Sequence, residues 1–355
     1  MPDKSDFLIV GAGAIGFTTA LSLLEAGYRV TLVDRGTVGQ EASWAGGGIM
    51  SPLCPWDYRE EVTRLALRGM AMLGEAAPLL HATTGIDPEY QRCGMLLLPP
   101  YRKEAAAQWC VQHDFPMQQV ELADYVPALH GEGMLLPEVA QVRNPRLLKA
   151  LRHRVEMLGG IIIEQCEVRK FELADGRVAA LQTSRGRLEA DAYIVTAGAW
   201  SRALLGDHAL NLDVRPIRGQ MLLFKFDEPP FRQILLRESL YFIPRRDGHL
   251  LVGSTLEDVG FDKSITAAAG EDLMRQVREM FPDWQAEPIR QWAGLRPGSP
   301  DNIPVIGRHP QLENLYANTG HFRYGVTMSL AAAELLRNEI EGEEQPFDTG
   351  AYRWR

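Results

Sequence analysis

The sequence predicts a mixed fold, α/β in its framework and α+β overall: a parallel-sheet domain built from separated segments, interrupted by an antiparallel β-rich domain. Three observations lead there. Before residue 35, an apolar run, a glycine turn, a helical apolar spacing and a second apolar run follow one another, as in a βαβ unit. Between Arg215 and Thr255 the pattern changes to strands joined by a tight turn. Towards the C-terminus a buried-strand pattern returns and leads through a glycine-bearing loop into a helix.

In chain order, Phe7-Leu8-Ile9-Val10 ends at glycines, as a buried parallel strand does. Ile15 to Ala26 has helical spacing and stops at Gly27, a C-cap residue, and the strand Arg29 to Val33 ends on Asp34. Thr63 to Leu80 reads as a helix, followed by a mixed stretch from Gly85 to Gln141 with loops at Pro99-Pro100 and Pro137. Asn144 to Leu158 is helical with Pro145 near its start, then come the strand Ile161-Ile162-Ile163, Val168 and a hairpin at Asp175-Gly176. Ala192 to Thr196 is another buried strand, ending in Ala197-Gly198. Met221 to Phe226, Tyr241 to Pro244 and Leu250 to Ser254 have antiparallel character, the last two flanking Asp247-Gly248. After a helix near Glu271 to Met280, the chain finishes with the strand Leu315 to Ala317, the loop Gly320 to Gly325 and a helix through Arg337. The framework domain is therefore expected over 1–84, 142–214 and 294–355, and the inserted domain over 85–141 and 215–293.

Composition narrows the function classes. The 355 residues are 46% hydrophobic and 23% charged, ordinary for a globular chain with ample core. A net charge of -9 gives nucleic acid or an anionic membrane nothing to hold. Cys54, Cys93, Cys110 and Cys166 are scattered without metal-ligand spacing and read as reduced thiols, so no metal is expected. Met1 to Val10 has no apolar leader, and no apolar run approaches the ~18 residues of a membrane span. The expectation is a soluble cytoplasmic protein.

Gly11-Ala12-Gly13-Ala14-Ile15-Gly16 sits between the first strand and helix. Gly11 permits the tight turn, Gly13 lets backbone N–H groups approach a pyrophosphate, and Gly16 lets helix and strand pack closely. The helix start adds partial positive charge. Asp34 follows Gly16 by about twenty residues, where a carboxylate can accept from both ribose hydroxyls of an adenosine. Arg35 beside it would suit a 2′-phosphate, which the acid disfavours. The strand–loop–helix–strand–acid order points to a Rossmann-like dinucleotide domain rather than a bare helix-start loop.

Three further segments favour FAD over NAD. Glu41 to Ile49 is rich in small residues and able to run along a pyrophosphate and a ring edge, or to be a surface loop. Val195 to Trp200 is a strand-to-loop junction of small residues around Gly198, suited to a ribityl chain or to close packing alone. Gly320 to Thr327 opens a second helix, whose positive end suits the anionic edge of a reduced flavin.

The opening loop, Asp34, the Ser43 to Ile49 loop, Arg215-Pro-Ile-Arg-Gly-Gln220, Ala293-Gly-Leu-Arg-Pro297 and Gly320-His-Phe-Arg-x-Gly325 together resemble the D-amino-acid oxidase superfamily, most closely its glycine oxidases. The resemblance runs over nearly the whole chain. It implies a FAD site lined by Ala14, Ile15, Asp34, Arg35, Ala42 and Ser43, by Gly47, Gly48, Ile49 and Val168, and by His321, Phe322, Arg323, Tyr324, Gly325, Val326 and Thr327. It further implies Arg296 and Tyr241 as holders of a substrate carboxylate and Arg323 as a second active-site arginine. No cysteine lies between Pro297 and Asn302, where sarcosine oxidases attach flavin, so the FAD is expected to be non-covalent. Leu256 stands where glycine oxidases have a methionine near the site.

The implied reaction is oxidative deamination of glycine, and of sarcosine or small D-amino acids, to the imine or 2-oxo acid, with O2 reduced to H2O2. Dehydroglycine for the thiazole of thiamine is the implied use, and a homo-oligomer, a tetramer in the family, the implied assembly. Arg296 suits the substrate role because a guanidinium stays charged and offers a planar fork to a carboxylate. On residue type alone it reads more often as a surface or ion-pair arginine, Tyr241 more often as a core strand aromatic, and His321 as a helix cap. Two other functions stay open: a D-amino-acid or N-methyl amino-acid oxidase or dehydrogenase of the same superfamily, and a non-catalytic FAD-binding module. The Pro52 to Tyr58 loop reads as a lid or as simple packing.

Overall fold

A computed structural model describes residues 4–355; Met1 to Asp3, part of the segment read as lacking a leader, lie outside the described residues. The framework is a six-stranded sheet in the spatial order Val305–Arg308, Leu315–Thr319, Ala190–Val195, Ser5–Val10, Val30–Val33 and Ile161–Ile163. All neighbours are parallel except the first pair. Alternation along Ser5–Val10 divides its side chains between two cores. Phe7 and Ile9 pack under the helices Ala14–Glu25, Glu60–Thr84, Asn144–Met157 and Gly325–Glu341, whereas Leu8 and Val10 pack against the hairpin side. That hairpin, Val168–Ala174 with Arg177–Thr183, turns through Asp175 and Gly176, both at positive φ as a tight primed turn needs.

The helix Ala14–Glu25 is clasped by the C-terminal part of the chain. Thr18 Oγ1 donates to the Ser329 carbonyl at 3.0 Å, and Asn318 Nδ2 to Thr19 Oγ1 at 3.1 Å. A first-turn helix and the last long helix therefore share one core.

The inserted part forms an eight-stranded sheet in the order Arg290–Gly298, Arg215–Lys225, His249–Gly253, Leu240–Pro244, Ile234–Arg237, Met95–Leu97, Glu132–Leu136 and Gln118–Glu121. Its pairs are antiparallel apart from Ile234–Arg237 with Met95–Leu97. Both faces are buried. One carries Leu222, Phe224, Phe242 and Val252 against the helix Ala267–Met280, which Thr266 caps at its N-terminus. The other carries Leu97, Met134, Met221, Leu236 and Tyr241.

The stretch read as mixed from Gly85 to Gln141 thus supplies three strands of this sheet and a helix, Lys103–Gln112. Gln118–Glu121 is an exposed edge with no apolar alternation, so nothing in its residues announces a strand. Arg290–Gly298 stays paired with Arg215–Lys225 along its length, so the boundary expected between 293 and 294 falls inside one strand. Among the described residues, no helix is long and apolar enough to cross a membrane.

Candidate active site

A continuous cavity of about 360 Å³ runs from the first glycine turn to the buried edge of the antiparallel sheet. At its start the chain leaves Ser5–Val10 through Gly11 at φ 109, where a Cβ would meet the Thr196 carbonyl oxygen at 2.6 Å. A Cβ on Gly16 would stand 2.0 Å from the Gly11 oxygen, so only glycine lets the helix start press on the turn. Asp34 fixes the turn from the next strand: its Oδ2 accepts from Ala12 N and its Oδ1 from Gly36 N, both at 2.9 Å. Ser43 Oγ accepts from Ala14 N at 2.9 Å. Arg35 stacks 3.8 Å above the Trp200 ring and reaches Glu41 at 3.5 Å.

The loop over 42–49 forms the cavity's middle wall and is fastened at several points. Asn144 Nδ2 donates to the carbonyls of Ser43 at 2.7 Å and Gly46 at 3.0 Å. Arg245, buried at the end of Leu240–Pro244, donates to Gly47 O at 2.6 Å, Gln141 Oε1 at 2.7 Å and Val142 O at 2.9 Å. Burial, and then the neighbouring Arg143, push Arg245 down to about 10, which still leaves it charged near neutral pH. Thr327 Oγ1 donates to Ile49 O at 3.0 Å, tying this loop to the last long helix.

At the far end stands Arg296. Its Nη2 donates to Ser254 Oγ at 2.6 Å and its Nη1 to the Thr255 carbonyl at 3.2 Å. The guanidinium lies on the backbone of the neighbouring strand: a Cβ on Gly219 would come within 2.0 Å of Nη1. Burial, together with the like charge of Arg323, holds Arg296 below the usual guanidinium range, while Tyr241 and Glu257 act the other way. Both of its hydrogen-bond acceptors are neutral. Neither Arg296 nor Arg323 forms an ion pair with a described residue, and Arg323 makes only a 5.7 Å approach to the Phe322 ring. Tyr241 is 8% exposed, with its hydroxyl 3.9 Å from Met221 Sδ.

The turn before the last long helix contributes Gly320 at φ 84 and Phe322 at φ 44. His321 lies between them, buried, with no hydrogen-bond partner for Nε2, and burial pushes its imidazole down to about 3.

The cavity is lined by Gly11, Gly13, Ala14, Ile15, Asp34 and Arg35, by Ala42, Ser43, Gly47, Gly48 and Ile49, and by Val168 and Gly198. His321, Phe322, Arg323, Tyr324, Gly325, Val326 and Thr327 line it too, as do Tyr241 and Arg296. Gly16 stands behind it in the helix–strand contact. Leu256 is 53% exposed and lies beside the cavity lining, next to Thr255. In the Pro52 to Tyr58 loop, Leu53 reaches the cavity, and its carbonyl accepts from Tyr324 Oη at 3.5 Å. Residue type did not single out Asn144, Arg245 or Ser254. Ser254 follows a strand ending in Gly253 and Asn144 precedes Pro145, which signals a strand end and a helix start but no site.

A parallel-sheet framework with a glycine turn at one end of a cavity and two guanidinium groups without ion pairs at the other fits a dinucleotide-binding enzyme that takes a small anionic molecule. The chain belongs to the FAD dependent oxidoreductases of the D-amino-acid oxidase (DAO) type, whose pattern matches residues 6–338. It is 42% identical to a glycine oxidase of Pseudomonas aeruginosa over 97% of both chains. The crystal structure of glycine oxidase from Geobacillus kaustophilus superposes with a TM-score of 0.93 at 26% identity, covering 99% of this chain and 98% of that one. A bifunctional ThiO/ThiG protein of Trichormus variabilis is 30% identical over 94% of this chain and 52% of its own length.

The residues fit FAD. Two helix starts, at Ala14 and Gly325, line the cavity and bring the positive end of each helix to it. The buried His321 Nε2 has a hydrogen-bond position free beside it. Gly198, at φ 54, has no other atom within 4 Å of where its Cβ would be, so the cavity wall is hollow there.

Proposed function

We propose that the protein oxidises glycine to dehydroglycine, which water converts to glyoxylate and ammonia, with O2 reduced to H2O2. Bound FAD, held without a covalent link by the residues above, supplies the two-electron acceptor that O2 reoxidises. The observation that carries this reading is Arg296: a half-buried cavity-lining guanidinium that forms no ion pair with a described residue and donates to the neutral Ser254 Oγ and Thr255 carbonyl. A guanidinium partly withdrawn from water without an acid partner is poorly compensated, and a substrate carboxylate compensates it through two parallel N–H···O bonds.

In this reading Tyr241 directs its hydroxyl to the same carboxylate, and Arg323 adds positive potential at the cavity wall. The lining side chains set the substrate's orientation and exclude water from the carbon that loses hydrogen. His321, neutral by burial, offers an imidazole N–H or lone pair rather than a charge. The glycine oxidase and ThiO/ThiG relatives support glycine as substrate and thiazole supply as use. A cytoplasmic homo-oligomer is part of the same reading, to be checked by light scattering.

The test is a substrate panel on the purified yellow protein, with peroxide measured under air for glycine, sarcosine, D-alanine and D-proline. Glycine is expected to give peroxide and, without air, to bleach the flavin. Bleaching by none of the four would overturn the reading.

A further inference from the structure

Behind Arg296 lies a buried polar network that the chemistry above leaves unused. Along Arg215–Lys225 the side chains alternate: Gly219 leaves room for the guanidinium, while Arg218 and Gln220 point away from it and are 4% and 0% exposed. Glu257 receives both. Its Oε2 accepts from Arg218 Nη2 at 2.6 Å, and its Oε1 from Gln220 Nε2 at 2.9 Å. Thr255 Oγ1 donates to the same Oε1 at 2.5 Å and accepts from Gln220 N at 2.9 Å. The backbones of Arg218 and Glu257 pair in both directions, at 2.8 and 2.9 Å. Arg218 also reaches Asp262 at 2.7 Å.

The segment fastened in this way is the one that holds Arg296. Ser254 and Thr255 supply both of its acceptors, and the Thr255 hydroxyl and carbonyl face opposite partners, Glu257 and Arg296. We infer that Glu257 is a positioning residue for substrate, setting the direction of the Arg296 fork through Thr255. The inference rests on the carboxylate role of Arg296 proposed above. Its chemical logic is a division of charge. A carboxylate in direct contact with Arg296 would compete with the substrate for the same N–H groups. Glu257 instead engages Arg218, Gln220 and Thr255, and reaches Arg296 by fixing where a neutral carbonyl stands. A long side chain with many rotamers is thereby held to one.

The experiment uses the FAD-loaded enzyme and acetate, a carboxylate without an amine, with binding measured by calorimetry. Glu257→Gln keeps the shape but cannot accept from Thr255, Gln220 and Arg218 together. Thr255→Val removes the link and leaves the pair of Glu257 with Arg218, which keeps the question answerable should Glu257→Gln not fold. Each is expected to weaken acetate and raise the glycine KM by about tenfold, the worth of one charge-assisted hydrogen bond. The kcat and the FAD affinity should stay near wild type, and Thr255→Ser should restore acetate binding. A purely structural network would lower Tm and leave the acetate Kd and glycine KM unmoved. Wild-type acetate affinity in Thr255→Val and in Glu257→Gln, where it folds, with Arg296→Ala losing it, overturns this inference alone. Wild-type affinity in Arg296→Ala overturns the reading beneath it.

Discussion

Gly219→Ala adds one methyl group against the group proposed to hold substrate. At the wild-type position, its Cβ would stand 2.0 Å from Arg296 Nη1 and 2.3 Å from both Cζ and Nη2. Contact with three atoms of a rigid plane cannot be relieved by one torsion, so the whole guanidinium must withdraw by about 1.4 Å to regain ordinary packing distance. That withdrawal breaks the 2.6 Å bond to Ser254 and the 3.2 Å bond to Thr255 and misdirects the fork. Losing one well-made charged hydrogen bond costs about 1.5–3 kcal/mol, so kcat/KM for glycine should fall on the order of 10- to 150-fold. Gly219 is not at positive φ, so alanine suits its backbone and gains roughly 0.4–1 kcal/mol from a stiffer unfolded chain. Stability and FAD affinity should therefore change little while turnover collapses. Peroxide formation against glycine concentration, with thermal melting and flavin titration alongside, separates the two effects. A Gly219→Ala enzyme with kcat/KM within about threefold of wild type would refute the reasoning.

Arg296→Lys should keep a positive charge yet lose the planar fork, raising KM for glycine by about 1.5–3 kcal/mol, more than tenfold; an unchanged KM would remove Arg296 from the site. Arg245→Met should leave the Gly47 and Val142 carbonyls and Gln141 unpaired, lowering unfolding free energy by about 3–5 kcal/mol in urea titration. A loss within experimental error would mean that Asn144, Ser43 and Thr327 hold the 42–49 loop without Arg245. Burial holds His321 down to about 3 from 6.5, so between those values the unfolded chain binds the extra proton. Stability from this residue is complete above pH 6.5 and falls as pH drops towards 3. His321→Gln should flatten the fall in urea midpoint between about pH 7 and 5; parallel slopes for the two proteins would exclude His321 as a source.

The framework was legible because its signals are local. Phe7 to Val10, the three glycines, the helical spacing and Asp34 lie in one continuous stretch, and each residue's job follows from its immediate neighbours. The mixed stretch was not legible. Met95–Leu97 is three residues long, buried on both faces, and obtains its partners Ile234–Arg237 and Glu132–Leu136 from distant chain. The candidate site divides the same way. Glycine turns and the Arg296 motif are visible as residue patterns, whereas Ser254, Asn144 and Arg245 matter only through what folding sets beside them.

The clasp between Ala14–Glu25 and Gly325–Glu341 bears on how the chain comes off the ribosome. The helix Ala14–Glu25 is synthesised with an apolar flank whose cover, the Gly325–Glu341 helix, arrives some three hundred residues later. At about 5–20 residues per second, that flank waits on the order of 15–60 seconds before its partner emerges. A truncation before the Gly325–Glu341 helix should yield aggregate rather than a smaller folded domain.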